Sequence, residues 1–316
     1  MPSVGGGTVM LVVSAIPVTV LTVIAGIAII ILTLLILFMS HRQGDEARTG
    51  IPWVKASCCL FVLGQIFKFI ASVLQVTSES SDDAPGKYKE AMSSAQLEIL
   101  SNIFCILGYA AFVSAQIEFA RGMQMIDAFV SQGGSPRLDA STGNNGRMLN
   151  YATFIVVLLP AIGFFVDQQL VINTDLLLTG ADDEGMSPLL KSFIALYFVP
   201  RLLLGLTALA SLFYTIRQPR TPPHNKLGAH LLAISTLTAI RHVSMAVIAG
   251  IDSFSYKLSM SAKSFMNMGL ALRYAEIILG SWLYVICLGM AFGITRMSHG
   301  GLRLNNLNSD SKPTSA

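Results

Sequence analysis

The sequence predicts an all-α integral membrane protein, a bundle of seven transmembrane helices. Two observations predict this fold class. First, 53% of the 316 residues are hydrophobic and only 12% are charged, whereas soluble domains carry about a quarter charged residues. Second, seven apolar stretches reach the ~20 residues that a helix needs to cross a bilayer. The net charge of +3 is small and spread along the chain, so nucleic acid is not an expected partner.

The first three predicted spans precede a polar loop rich in Gly, Ser and Asn. The first, Met10 to Met39, is longer than the ~7–15-residue core of a secretory signal and has no basic segment before it, so we expect it to be retained. The second runs from Trp53 to Val76 and the third from Leu97 to Gly122. The acidic pair Asp82-Asp83 lies in the loop between the second and third spans.

Four further spans complete the predicted bundle. Lipid-embedded helices tolerate proline because neighbouring groups satisfy the freed carbonyls, so Pro160 and Pro200 mark expected kinks within spans. With no soluble domain between the spans, residues 1–297 are predicted to form one transmembrane domain. The predicted boundaries are Leu149 to Ile172, Leu189 to Tyr214, Leu227 to Ile251, and Met268 to Ile294.

The short loops predict the orientation, because Lys and Arg accumulate on the cytosolic side. Alternate loops and the C-terminal tail are rich in these residues, so the N-terminus is predicted to be lumenal or extracellular and the C-terminus cytosolic. The tail, residues 298–316, has too little apolar content to fold and is predicted to be disordered. The basic residues are Arg42, Arg48, Arg137, Arg147, Arg217, Arg220, Lys226, Arg296, Arg303 and Lys312.

Ionisable side chains fall inside the predicted spans, where each costs about 2.5–3.5 kcal/mol to insert and therefore usually faces the bundle interior or water. Counting about 1.5 Å per residue along each helix places most of them in the lumenal half, with Arg201 near the midplane. Because several helices supply charges at similar depth, we predict a shared polar pocket open to the lumen. The residues are Lys68, Asp167, Arg201, Arg241, His242, Arg273 and Glu276.

The seventh span is the most informative. Arg273 and Glu276 are three positions apart, so they lie on one helix face and can form an ion pair that fixes helix packing. Alternatively, Glu276 acts as a proton donor in the pocket. Asp167 also allows two interpretations, a solvated residue near a helix end or a second candidate acid.

Other charged residues of the spans have simpler interpretations. Arg241 and His242 are adjacent, so they point about 100° apart and are not expected to face one small ligand together. Glu118 and Arg121 are predicted to form an ion pair near the cytosolic end of the third span. Lys68 either lines the pocket or extends toward the lumenal headgroups.

Several short motifs resemble those of a family of fungal seven-span membrane proteins. The members with a known activity are membrane-bound terpene cyclases of meroterpenoid pathways, such as those of ascochlorin and ascofuranone. Where many relatives have an arginine in the second span, this chain has Lys68. The motifs are Arg48-Thr-Gly-Ile-Pro-Trp53, Leu107-Gly-Tyr109, Ile240-Arg241-His-Val, Arg273-Tyr-Ala-Glu276-Ile-Ile and Tyr284-Val-Ile-Cys-Leu-Gly289.

The resemblance implies a terpene cyclase of fungal secondary metabolism that protonates and cyclises the (epoxy)farnesyl chain of a prenylated phenol taken from the bilayer. An acid protonates the epoxide oxygen, alkenes attack the developing carbocation, and aromatic faces stabilise it; this chemistry needs no metal or cofactor. The depth count supplies the candidate catalytic residues, Glu276 or Asp167 as the acid and Arg273 or Arg241 to orient it. The candidate substrate-binding residues are Lys68, Tyr109, Arg201, His242, Tyr274 and Tyr284.

Two other functions fit a seven-span bundle with a lumenal pocket. A receptor or sensor for a small lipophilic ligand is the main alternative, although the short cytosolic loops offer little surface for a partner protein. A transporter is the third, for which the sequence shows no inverted repeat. No HExxH zinc motif, P-loop or GxSxG nucleophile elbow is present. A biosynthetic enzyme predicts the endoplasmic reticulum membrane, and a receptor predicts the plasma membrane.

Overall fold

The computed structural model describes residues 5–39, 49–80, 84–131, 148, 150–158, 162–163, 188–217, 225–254 and 262–296. The regular structure of these residues is helical throughout. Residues 150–158 form a helical stretch that we call α4, and a π-helical segment, Glu276–Trp282, joins the last two helices. The other helices are α1 (Gly5–Met39), α2 (Gly50–Ser80), α3 (Ala84–Ser131), α5 (Pro188–Ile216), α6 (Asn225–Phe254), α7 (Ala262–Ala275) and α8 (Leu283–Arg296).

Six helical stretches among the described residues are long and apolar enough to cross a membrane. The chain is therefore a multi-pass membrane protein. The fourth predicted span, Leu149 to Ile172, is described only in part, and the predicted disordered tail lies outside the described residues. The six stretches are Val20–Met39, Gly50–Leu74, Ser93–Ala128, Phe198–Ile216, Lys226–Ile251 and Met268–Arg296.

The outward faces of these helices are apolar. Phe38 of α1 and Phe69 of α2 are 74% and 70% exposed, and α1 also presents Val23, Ile27 and Ile31. In water such a surface would drive aggregation, whereas lipid tails solvate it without cost. The apolar exterior agrees with the membrane assignment from composition.

Helix α3 is the centre of the bundle. Every residue from 110 to 123 is buried, and α3 packs against α2, α5 and α6. Small residues such as Ala110, Ala111 and Ala115 allow neighbouring backbones to approach closely, as is usual between membrane helices. Burial in this stretch therefore extends to every face of α3, polar residues such as Gln116 included.

The contacts of α3 establish the direction of its neighbours. In the middle of α5, Leu204 shares an apolar cluster with Ile106, and near the end of α5 Tyr214 Oη donates a hydrogen bond to Gln124 Oε1 (3.1 Å). Helices α3 and α5 therefore run parallel. Asn150 Nδ2, at the start of α4, donates to Glu118 Oε1 (3.1 Å), whereas Val157 packs with Ile106. Helix α4 is therefore antiparallel to α3.

Helix α6 crosses the bundle in the opposite direction to α5 and α8. Thr215 of α5 is hydrogen-bonded to Ser235 (3.2 Å), and Thr238 Oγ1 donates to Cys287 Sγ (3.7 Å). Toward the other end of α6, the side chain of Arg241 donates a hydrogen bond to the carbonyl of Gly280 in the π-helical segment. These pairings bring residues 241–245 of α6 against the middle of α2, α3 and the π-helical segment, where the candidate site lies.

Candidate functional site

A polar cavity of about 90 Å³ lies inside the bundle, in the half that contains the start of α3. Five elements contribute to its wall: α2, α3, α5, α6 and the π-helical segment. The shared polar pocket that the depth count predicts is therefore present. The lining residues are Phe61, Gln65, Lys68, Ser101, Asn102, Cys105, Ile106, Tyr109, Arg201, Leu204, Arg241, His242, Met245, Glu276, Gly280 and Ser281.

Arg241 is the most buried charged group in this wall, with only 1% of its surface exposed. Its Nε donates a hydrogen bond to the carbonyl oxygen of Gly280 (2.7 Å). The guanidinium carbon lies 3.7 Å from the ring centroid of Tyr109 and 5.2 Å from that of Tyr284. A carbonyl and two aromatic faces therefore partly compensate this charge.

His242 lies beside Arg241 and is also buried. Nη1 of Arg241 donates to Nε2 of the His242 ring at 3.2 Å, and the ring packs edge-on against Tyr109 with centroids 5.5 Å apart. Both residues line the cavity. These adjacent residues share one cavity wall because the arginine guanidinium lies against the histidine ring. That they do not face one small ligand together stays a prediction.

Glu276 begins the π-helical segment, in which the N–H of Leu283 bonds to the carbonyl of Ile278, five residues earlier. Such wide turns recur at functional sites. Here the segment places Glu276, Gly280 and Ser281 in the cavity wall. The carbonyl of Gly280 also accepts the Arg241 bond, so the segment and the buried cation are directly linked.

Arg273 does not share this position. It is exposed and is not among the residues that line the cavity. Within the described residues no ion pair joins Arg273 to Glu276, so the structure does not support the ion-pair interpretation, one of the two alternatives for this spacing. Residues three positions apart share a face in a regular α-helix. The helix changes to π-helical geometry at Glu276, so this spacing no longer places Arg273 and Glu276 on one face. The ion pair predicted between Arg121 and Glu118 is confirmed, with Nη1 and Oε2 3.2 Å apart.

Tyr284 lies behind the cavity wall. It is 1% exposed, and its hydroxyl lies 2.7 Å from Ser57 Oγ, which donates in turn to the carbonyl of Gly108 (2.6 Å). Its ring packs edge-on against Tyr109, with centroids 5.3 Å apart. Tyr284 therefore supports Tyr109 and does not itself line the cavity.

The remaining predicted site residues divide into three groups. Lys68 and Arg201 line the cavity, Lys68 with an exposed side chain. Tyr274 is half-buried and lies outside the lining. Asp167 lies outside the described residues.

Several polar lining residues were missed by the sequence reasoning, which considered only charged and aromatic groups. Ser101, Cys105 and Tyr109 follow one another at four-residue intervals on α3, and Gln65 precedes Lys68 by three on α2. Residues at these spacings share a helix face. A polar stripe at this spacing is a signal that could have found them.

A second polar cleft, of about 460 Å³, lies near the opposite end of the bundle. The buried pair Glu118 and Arg121 lines it, together with Asn150, Trp53 and Thr49 among others. Among the described residues, no group of three or more His, Cys, Asp or Glu side chains is placed to hold a metal ion, at either end. No family model, curated protein or solved structure matches the chain.

Proposed function

We propose that this chain is a membrane-bound terpene cyclase that cyclises the prenyl chain of a lipophilic substrate at the polar cavity. One observation carries the proposal: a carboxylic acid, Glu276, lines the same cavity as the aromatic ring of Tyr109 and the buried cation of Arg241. Acid-initiated cyclisation needs a proton donor and a stabilising aromatic surface in a site that excludes water. The resemblance to the fungal cyclase family supports the same activity.

In the proposed reaction Glu276 donates its proton to the epoxide oxygen while the carbon–oxygen bond breaks. The electron pairs of successive alkenes attack the carbocation and form new carbon–carbon bonds. The last carbocation loses a proton to the Glu276 carboxylate, which restores the acid and makes the product an isomer of the substrate. Cyclisation folds the chain back on itself, so the epoxide approaches the head group and both polar ends lie near the cavity.

We also propose that the chain has seven spans, with the N-terminus lumenal and the C-terminus cytosolic, in the endoplasmic reticulum membrane. Helices α3 and α5 are parallel, so the chain between them must return across the bilayer. The helical residues 150–158 run antiparallel to α3 and support a crossing there. The distribution of Lys and Arg supports the orientation.

The experiment is expression of the full chain in microsomes supplied with an epoxyfarnesyl phenol. We expect a cyclised product of identical mass, and Glu276→Gln should lower its rate about 100-fold or more because a general acid contributes about 10²–10⁴-fold. Glu98→Gln is the matched control, because Glu98 is exposed and lies outside the cavity wall. Full-rate conversion by Glu276→Gln would disprove the acid assignment, and no conversion by the wild type would count against the enzyme.

A receptor for a small lipophilic ligand is the second candidate. The guanidinium of Arg241 already occupies the face of Tyr109, at 3.7 Å from the ring centroid, where a cyclase would hold a carbocation. An aromatic ring paired with a fixed cation suits binding of a polar group more directly than it suits cation chemistry. Saturable binding of a ligand that is recovered unchanged would support the receptor over the enzyme.

A further inference from the structure

We propose that the polar cavity recognises an oxyanion, a carboxylate or phosphate group at the polar end of a lipophilic molecule, with Arg241 as its principal partner. This inference specifies the substrate class of the proposed function. It rests on that function only for the location of the ligand in this cavity.

The described wall carries more positive than negative charge. Lys68 and Arg241 are cations of this wall and Glu276 is an anion. These three residues together carry a formal charge of +1. Excess charge at membrane depth is costly unless a partner of opposite sign offsets it. A ligand anion would supply that partner.

Arg241 is the group best placed to bind the anion. No carboxylate among the described residues forms an ion pair with it, and its hydrogen-bond partners are the Gly280 carbonyl at Nε and the His242 ring at Nη1. The planar guanidinium offers several donors in a fixed geometry that matches the two oxygens of a carboxylate or phosphate.

The size of the cavity limits what enters it. A volume of about 90 Å³ corresponds to about three water molecules at ~30 Å³ each. This space accommodates a carboxylate or phosphate group but is too small for a whole prenyl chain. Most of the apolar part of the ligand must then lie outside the cavity, so the ligand is amphipathic.

The test is equilibrium binding to the purified full chain in lipid nanodiscs. The probes are farnesoic acid, its methyl ester and farnesyl monophosphate, which share one chain and differ in the polar group. Charge-assisted hydrogen bonds are worth about 1.5–3 kcal/mol, so the acid should bind about 10- to 100-fold more tightly than the ester. Comparison of the acid with the monophosphate identifies the preferred oxyanion. Equal affinities for acid and ester would overturn the proposal.

Substitutions of lining residues test whether the preference for the acid over the ester arises in the cavity. Arg241→Gln should abolish the preference for the acid. Because Arg241 also holds the π-helical segment, Lys68→Gln serves as a second variant with an exposed side chain, and it should weaken acid binding about threefold or more while ester binding stays constant. Lys226→Gln is the control, since Lys226 is exposed at the start of α6 and lies outside the wall. An unchanged preference in both cavity variants would contradict the assignment.

The two proposals fail in different ways. Selective binding of the acid without any cyclised product contradicts the cyclase and leaves the oxyanion site intact. Cyclisation of a neutral substrate, combined with equal binding of acid and ester, contradicts the oxyanion site and leaves the cyclase intact.

Discussion

At the scale of single residues, the hydroxyl of Tyr284 connects three helices. It lies 2.7 Å from Ser57 Oγ of α2, and because Ser57 donates its own hydrogen to the Gly108 carbonyl of α3, Tyr284 must be the donor of the first bond. The ring of Tyr284 packs against Tyr109 and Phe61. One residue of α8 thereby fixes the aromatic wall on which Arg241 rests.

Tyr284→Phe should therefore lower stability while leaving the apolar packing of the ring intact. Loss of one buried hydrogen bond costs about 1 kcal/mol, which a denaturant titration of the purified protein can measure. Tyr151→Phe is the control, because Tyr151 is 63% exposed. Equal stability of the two variants would mean that the Ser57 bond contributes nothing.

At the scale of the elements, the approach of α2 to α3 depends on glycine. A Cβ on Gly64 would lie 2.7 Å from Cys105 Sγ and 3.0 Å from the carbonyl oxygen of Ser101, and one on Gly108 would lie 3.2 Å from the carbonyl of Ser57. A backbone carbonyl cannot rotate away as a side chain can. The two helices therefore hold the lining residues of the cavity at a separation that only small residues permit.

Gly64→Ala should destabilise the protein by about 1–3 kcal/mol, the usual cost of overpacking a core. It should also reduce ligand binding, because Gly64 faces Ser101 and Cys105 and both line the cavity. Gly26→Ala on α1 is the matched control, since nothing lies within 4 Å of its added Cβ. The measurement is the thermal unfolding midpoint of both variants, and a Gly64→Ala midpoint at or above that of Gly26→Ala would contradict the close approach.

At the scale of the whole molecule, the parallel direction of α3 and α5 determines how the chain must cross the membrane between them. Both helices end in the half that holds Gln124 and Tyr214, so the chain after α3 has to return before α5 begins. The same arrangement gathers the charged residues of α2, α5, α6 and the π-helical segment into one half. The proposed topology and the existence of a shared cavity are therefore two consequences of one helix order.

A protease-sensitive tag inserted after Gly134 and another inserted after Gly180 should lie on opposite sides of the membrane. In sealed microsomes, added protease should cut the first tag and leave the second protected, because residues between the tags are proposed to form the fourth span. Tags at the two termini provide an independent measure and should also differ, with only the C-terminal tag cut. Cleavage of both inserted tags would rule out a crossing between them.

The sequence by itself determined that the chain is a multi-pass helical membrane protein with charged residues at a common depth, because apolar length and the cost of buried charge are properties of local sequence. The partnership of Arg241 with Gly280 and Tyr109 was decided only by the tertiary structure. So was the separation of Arg273 from Glu276, since it follows from a π-helical turn that the spacing of residues does not reveal. Periodicity reports which face of a helix a residue occupies, whereas the identity of the facing helix depends on how the whole bundle packs.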